Sequence, residues 1–309
     1  MTTPGKLTDA LSRFVFEGVA VRGAAVGLEA TCREILACHS YPPALARVLS
    51  ELLAAATLLA STLKFRGSLV VQMQGEGAVR MLIVECDATL KLRATAQWNR
   101  AADVLPADAT LADLAGGHAR ARLAITLDPK DGGPMYQGIV GLESGSVAAL
   151  IEQYLTSSEQ IASRLVLATA PGRARGLLVQ RLPRAGTDDD AAWAAISAAC
   201  TETPADTLLE ADDLTRLLTA RFPRLDIRLF DAQPTRFGCG CSEERIAGAL
   251  RLLGRAEVES ILAEQGMVGV TCEFCNRRYT FVASDARALF ATDAATGRAP
   301  VPPGDGPSG

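Results

Sequence analysis

Histidine is nearly absent from this chain. The two present in 309 residues, His39 and His118, leave little material for imidazole-based catalysis. Both are expected to be structural or exposed. No Walker motif, G-x-S-x-G or H-E-x-x-H occurs. "GEGAVR" lacks the third glycine of a phosphate-binding loop and sits between strand-like runs, so it reads as a hairpin turn. Aromatic residues are only 5% of the chain, and neither they nor the methionines form a cofactor box. No sign of charge dominates. A net charge of −4 with both signs mixed argues against a dedicated nucleic-acid binder or a membrane-surface protein. The opening "MTTPGKLTDALSRFVFEG" has no unbroken apolar run behind a basic end, so no export signal is expected. A cytoplasmic location follows as an expectation. In that reducing compartment a lasting disulfide is the less favoured use of paired cysteines.

Long apolar runs are also scarce. "LARVLSELLAAATLLASTLKF" (45–65) comes closest, but it carries Arg47, Glu51 and Lys64. Its larger apolar residues fall at helical spacing, which predicts a buried amphipathic helix rather than a membrane span. Ahead of it, "SRFVFEGVAVRGAAVGLEA" reads as strand with a bend at Gly23. Residues 67–98 read as a three-stranded meander broken at "QGEG" and "CDAT". A short helix, two strands around "DPKDGGP", a helix opened by a serine and two further strands complete the region. Strands cluster with few helices between them, so the fold class is α+β, with an antiparallel-rich sheet and packed helices.

Residues 183–223 are Ala-rich, helically patterned and punctuated by Pro183, Gly186 and Pro204. They read as linker rather than as an independent core. The predicted organisation is a core domain at 1–182, a helical linker at 183–235, a small module at 236–292 and a disordered tail at 293–309.

The most informative residues are four of the eight cysteines. Cys239 and Cys241 stand one glycine apart in "RFGCGCSEER", and Cys272 and Cys275 share "TCEFCNRRY". Thirty residues with two short helical patterns separate the pairs, and the second pair sits at the tip of a predicted hairpin. Gly238 and Gly240 are read as supplying backbone freedom to the first pair. Four sulfurs in a tetrahedron are what zinc prefers, and a closed four-thiolate site leaves no open position for a substrate. Such a site is ordinarily structural. The module has about 55 residues, too few for a substantial core, so its fold should lean on metal binding worth roughly 10–16 kcal/mol in small zinc peptides. Zinc-bound thiolates are also oxidisable, so a redox switch is chemically open. Nucleic-acid binding is disfavoured, because six basic residues face seven acidic ones across 236–285. A thioredoxin-type site lacks its βαβ context. Cys32, Cys38, Cys86 and Cys200 read as buried small hydrophobes.

These stretches, together with "AVRG" (20–23), "ELLAAATLLASTLKFRGSLVVQMQGEG" (51–77), "YQGIVGLE" (136–143), "EQYLTSSEQ" (152–160), "FGCGCSEERIAGALRLLG" (237–254), "EVESILAE" (257–264) and "VTCEFCNRRYTF" (270–281), resemble the heat shock protein 33 family. That family comprises redox-regulated holdase chaperones, and the resemblance runs from about residue 12 to about residue 291. It implies that the reduced protein is inactive, with Cys239, Cys241, Cys272 and Cys275 binding one zinc ion per chain. Oxidation would form Cys239–Cys241 and Cys272–Cys275 disulfides, release the metal, unfold the module and linker, and expose apolar surface. It further implies unfolded or oxidatively damaged client proteins as partners, a homodimer on activation, no ATP requirement, no enzymatic activity, and neither nucleic acid nor membrane. The acidic–apolar linker becomes a candidate client surface, and Cys200 within it could form a mixed disulfide once the linker opens. Other function classes remain, namely a constitutive zinc-stabilised scaffold and a thiol oxidoreductase. A Cys-x-Cys disulfide closes a smaller, more strained ring than Cys-x2-Cys, so it should be reduced first. Thiol mapping during graded reduction of the oxidised protein is expected to find Cys272–Cys275 outlasting Cys239–Cys241; the opposite order overturns this.

Overall fold

Two apolar stripes in β1 (Ala10–Phe16) and β2 (Val21–Leu28) start the fold as an antiparallel hairpin. The structure is a computed structural model that describes residues 5–62, 67–117, 121–129, 132–143, 145–183 and 187–296. The bend of the hairpin lies at residues 17–20, where Gly18 takes φ +78, and not at Gly23. Gly23 is inside β2 for a different reason. It pairs with Phe14, and a Cβ there would overlap the Phe14 ring. Helix α1 (Ala30–Leu36), where the sequence suggested no element of its own, follows, and then α2 (Pro43–Thr62). Strands β3 (Gly67–Gln74), β4 (Val79–Asp87) and β5 (Lys91–Trp98) form the expected meander. The "QGEG" turn packs on α3 (Leu111–Ala115), whose Ala115 carbonyl accepts from the Glu76 and Gly77 amides. Next come β6 (Arg122–Pro129), β7 (Tyr136–Gly141), α4 (Val147–Ser157), β8 (Ser163–Ala170) and β9 (Arg173–Arg181). Ser146 caps α4 by accepting from the Ala149 amide. Helices α5 (Thr187–Thr201), α6 (Ala205–Glu210) and α7 (Leu214–Arg221) precede three short strands, β10 (Ile227–Leu229), β11 (Gln233–Pro234) and β12 (Arg236–Phe237). The remainder is α8 (Glu243–Leu253), α9 (Arg255–Gln265), β13 (Val268–Thr271), β14 (Arg278–Phe281) and α10 (Ala283–Thr296). Residues 293–296, expected in a disordered tail, are the last turn of α10. The expected helix end at 63–65, His118 and the Pro/Gly-rich end at 297–309 lie outside the described residues.

Strands and helices pack as α+β, as the clustering of strands implies, and the chain divides into two compact units, Met1–Cys239 and Gly240–Gly309. In the first unit one sheet has the order β10-β1-β2-β9-β8, with β11 also on β1, and the other runs β12-β5-β4-β3-β6-β7. All described pairings are antiparallel except β12 on β5. Helix α2 lies between the sheets, touching β2, β8 and β9 of one and β3, β4 and β5 of the other. It is long and apolar enough to cross a membrane, yet its leucines and alanines from Leu45 to Leu59 fill the protein's own core. Its buried hydroxyls are satisfied locally, Ser50 donating to the Ala46 carbonyl and Thr57 to that of Leu53.

The first sheet is apolar on both faces. Ala24, Val26, Leu165 and Leu178 point into the α2 core. Their strand neighbours Phe14, Phe16, Val21, Ala25, Leu177 and Val179 point the other way. That second face is covered by Ile196, Cys200, Leu208, Leu214, Leu217, Leu218 and Phe222 of the α5–α7 region. Residues 183–223 thus supply one wall of a second core in the first unit. The second unit has its own small cluster, Ala247, Leu250, Val258, Val268, Phe281, Ala286 and Leu289.

Leu52 is fully buried in the α2 layer. Leu52→Ala is expected to lower stability by roughly 2–5 kcal/mol, read from urea unfolding followed by circular dichroism. A loss below about 1 kcal/mol would show that the layer collapses onto the cavity.

Candidate metal centre

Each cysteine pair is placed by a short element whose local chemistry is legible. Strand β12 lies parallel to β5, with Arg236 opposite Lys91 and Phe237 opposite Leu92. The ladder continues one step further, since the Gly238 amide donates to the Leu92 carbonyl at 3.0 Å. Cys239 therefore leaves directly from the edge of the second sheet. Neither Gly238 nor Gly240 has a positive φ, so backbone freedom is not why glycine stands there. A Cβ at Gly238 would overlap the Lys91 side chain, and one at Gly240 would come within 3.0 Å of Arg245 Nη1. Beyond Cys241, Ser242 caps α8 by accepting from the Arg245 amide at 3.3 Å, and Glu243 and Glu244 occupy the first turn.

The second pair sits at the turn between β13 and β14, as the hairpin reading expected. Cys272 donates its amide to the Arg277 carbonyl at 2.9 Å, and its own carbonyl accepts from the Asn276 amide at 2.8 Å. Asn276 takes the left-handed conformation, φ +56, that asparagine tolerates better than most residues. This tight turn leaves both cysteines on one loop.

The four sulfurs of Cys239, Cys241, Cys272 and Cys275 all lie within 4.8 Å of one another. Sulfurs ~2.3 Å from a common zinc ion in a tetrahedron would be ~3.8 Å apart, so the cluster has the right size for such an ion. Cys241 Sγ and Cys275 Sγ approach to 3.3 Å, a contact between the two pairs rather than within either. Shared ligation brings the pairs together in this way; two disulfides within the pairs would not. All four cysteines are half-buried. The donor set therefore fits a metal ion with thiolate preference.

Three residues around the sulfurs were not singled out from the sequence. The Tyr279 hydroxyl donates to Cys241 Sγ at 3.2 Å, and that bond pushes the phenol pKa up. The Arg277 guanidinium is held protonated by its hydrogen bond with Tyr279 and by the charges of Cys241 and Cys275. On the sheet side, Arg93 donates through Nε to Glu85 at 2.8 Å and also hydrogen-bonds Cys239. A four-thiolate site with a divalent ion carries excess negative charge, and these donors and cations offset it. Arg277 and Tyr279 stand within "CNRRY", so their proximity was available from the sequence. Arg93 is not, because only the pairing of β12 with β5 brings it to Cys239.

The other thiols divide. Cys32, Cys86 and Cys200 are fully buried, as expected of small hydrophobes. Burial pushes the Cys200 thiol up to about 12 and raises those of Cys86 and Cys32. Cys38 departs from the expectation. It lies half-exposed just beyond α1, donating to the Glu34 carbonyl at 3.3 Å. His39 packs edge-on against the rings of Tyr41 and Trp98, a structural role.

A family model described as "Hsp33 protein" matches residues 9–282. A 33 kDa chaperonin of Methylobacillus flagellatus is 42% identical over 291 residues, covering 93% of this chain and 96% of the relative. A protein of the same description from Chromobacterium violaceum is 40% identical over 288 residues, covering 92% and 95%. Among solved structures, the 33 kDa chaperonin (heat shock protein 33 homolog) of Thermotoga maritima superposes with a TM-score of 0.76 at 20% identity, covering 93% of this chain and 99% of that one. The last likeness bears on fold alone.

Removal of metal by a chelator under reducing conditions is expected to abolish hydrogen-exchange protection across residues 240–296 while α2 and the two large sheets stay protected. Cys275→Ser should do the same without chelator. Retained protection of 240–296 in both cases would show that the second unit folds without its sulfur cluster.

Proposed function

The chain belongs to the Hsp33 family, and we propose that it is a redox-regulated, ATP-independent holdase that binds unfolding and oxidatively damaged proteins in the cytoplasm. Its output is binding rather than catalysis. The observation that carries the reading is the sulfur cluster together with a core of seven buried residues among those described in the second unit. A core so small depends on whatever holds the four sulfurs together.

In the reduced protein, Cys239, Cys241, Cys272 and Cys275 would hold one zinc ion. When bound, the ion cross-links the two pairs and keeps the sulfurs as thiolates. Arg93, Arg277 and Tyr279 stabilise that charge by hydrogen bonding and electrostatics. On oxidation each pair closes a disulfide, Cys239–Cys241 and Cys272–Cys275. Each closure transfers two electrons to the oxidant; hypochlorite leaves as chloride and hydroxide, hydrogen peroxide as two hydroxides or water. Sulfurs engaged in disulfides could no longer act as thiolate ligands, so Cys239, Cys241, Cys272 and Cys275 would cease to tie the two turns together and the module would lose that support.

The functional division follows 1–182 as core, 183–235 as linker and 236–292 as switch. Once the linker loosens, the sheet face bearing Phe14, Phe16, Val21, Leu177 and Val179 is uncovered. An apolar face of this kind suits exposed segments of unfolded clients, and two activated chains pair as a homodimer.

The test is suppression of light scattering by a thermally unfolding client, measured with reduced protein and with protein treated with hypochlorite, while released zinc is titrated. The expected result is suppression only after oxidation, in step with release of one zinc per chain. Equal suppression in both states would reject the switch in favour of a constitutive zinc-stabilised scaffold.

A further inference from the structure

Arg175 lies on β9, on the same face as Leu177 and Val179, and its side chain is 0% exposed. A guanidinium in that position must find acceptors, and it finds them on three separate stretches of chain. Nη1 donates to the Leu7 carbonyl. Nη2 donates to Glu29 Oε1 at 2.9 Å and to Asp212 Oδ1 at 3.2 Å. Gly27 is the partner of Arg175 in the β2–β9 ladder, and a Cβ there would overlap both the Leu7 carbonyl and the guanidinium. The cradle is therefore built around the cation, with glycine at the position that gives it room.

Asp212 is the member that belongs to the covering helices. It sits in the turn between α6 and α7, and a short backbone ladder fixes that turn to the N-terminal stretch. Leu7 donates to the Asp212 carbonyl at 3.4 Å, and Leu214 donates to that of Gly5 at 2.7 Å. One step from Arg175, Arg173 donates through Nη1 to the Leu209 carbonyl at 3.2 Å and pairs with Glu29. Two arginines of β9 thus hold both ends of the 209–212 turn.

We propose that Arg175 is an ion-pair latch that holds the α6–α7 turn closed over the first sheet. The inference rests on the reading that this layer must leave for client binding, and it concerns how firmly the layer is held. The latch is deliberately weak in a physical sense. Arg175 Nε has no hydrogen-bond partner among the described residues, and burying an incompletely satisfied cation costs much of what its ion pairs return. Asp212 is 81% exposed, so its pairing with Arg175 is open to screening by salt. Opening the turn rehydrates the guanidinium, while Glu29 remains with Arg175 on the sheet. A leucine in place of Arg175 would give the layer no comparable penalty for staying shut.

The test uses hydrogen exchange of the full chain in its reduced, zinc-loaded state, so it requires no chaperone activity. In Asp212→Asn, residues 205–222 are expected to exchange about threefold faster than in the unaltered protein. Raising salt from roughly 0.05 to 0.5 M should speed exchange there in the unaltered protein and leave Asp212→Asn unchanged. Added to Arg175→Met, the Asp212→Asn change should have no further effect. Unaltered exchange in Asp212→Asn, or an equal salt response in both proteins, overturns the latch; this holds even where Arg175→Met does not fold. Faster exchange in a protein that never suppresses client scattering would support the latch and reject the chaperone reading.

Discussion

The constraint on which the proposed switch rests is four sulfurs held within 4.8 Å of one another. Among the described residues the second unit has two short helices, a hairpin of two four-residue strands and one further helix around seven buried residues. Hydrophobic burial on that scale does not by itself outweigh the entropy of ordering the chain. In the proposed switch a shared metal ion would add a cross-link in the folded state. Because thiolates are oxidisable, that support would be open to withdrawal by chemistry at the sulfurs.

The first unit has a core of its own. It lies around α2 and is closed by two sheets. The α5–α7 layer is different in kind. It covers a sheet face whose other side is already part of the main core, so it adds a second apolar cluster rather than completing the first. Removing it would expose apolar surface without dismantling the structure beneath. Polar contacts from Arg173 and Arg175 make the layer's attachment sensitive to charge as well as to burial.

Strand β12 links these two levels. Its two residues join the edge of the second sheet, and the first cysteine follows within two positions. Backbone hydrogen bonds to β5 fix the start of the sulfur cluster, and Arg93 reaches Cys239 from the same strand. Cys239 is thus ordered by the large unit before any ligand is considered, while Cys272 and Cys275 are ordered by their own hairpin.

Much of this was legible in the residues. Alternation and helical spacing identified most elements, because α2 and the strands of the meander bury one consistent set of side chains. The cysteine pairs and their turns identified the candidate ligands, since the spacing of two thiols on a tight turn is a local property. Local signals failed where a residue served a distant partner. Gly23 read as a bend but makes room for the Phe14 ring; Gly238 read as backbone freedom for the cysteine turn but makes room for Lys91. Cys38 read as core and is half-exposed, because helix α1 ends before it. The linker pattern at 183–223 gave no sign of which surface it covers, nor that Arg175 lies beneath it. What the sequence determined alone was most of the elements and the four thiols, each a matter of neighbours along the chain. What the tertiary structure decided was which charges meet those thiols and which sheet face the helices shield. Those depend on strand pairing and packing between residues more than a hundred positions apart.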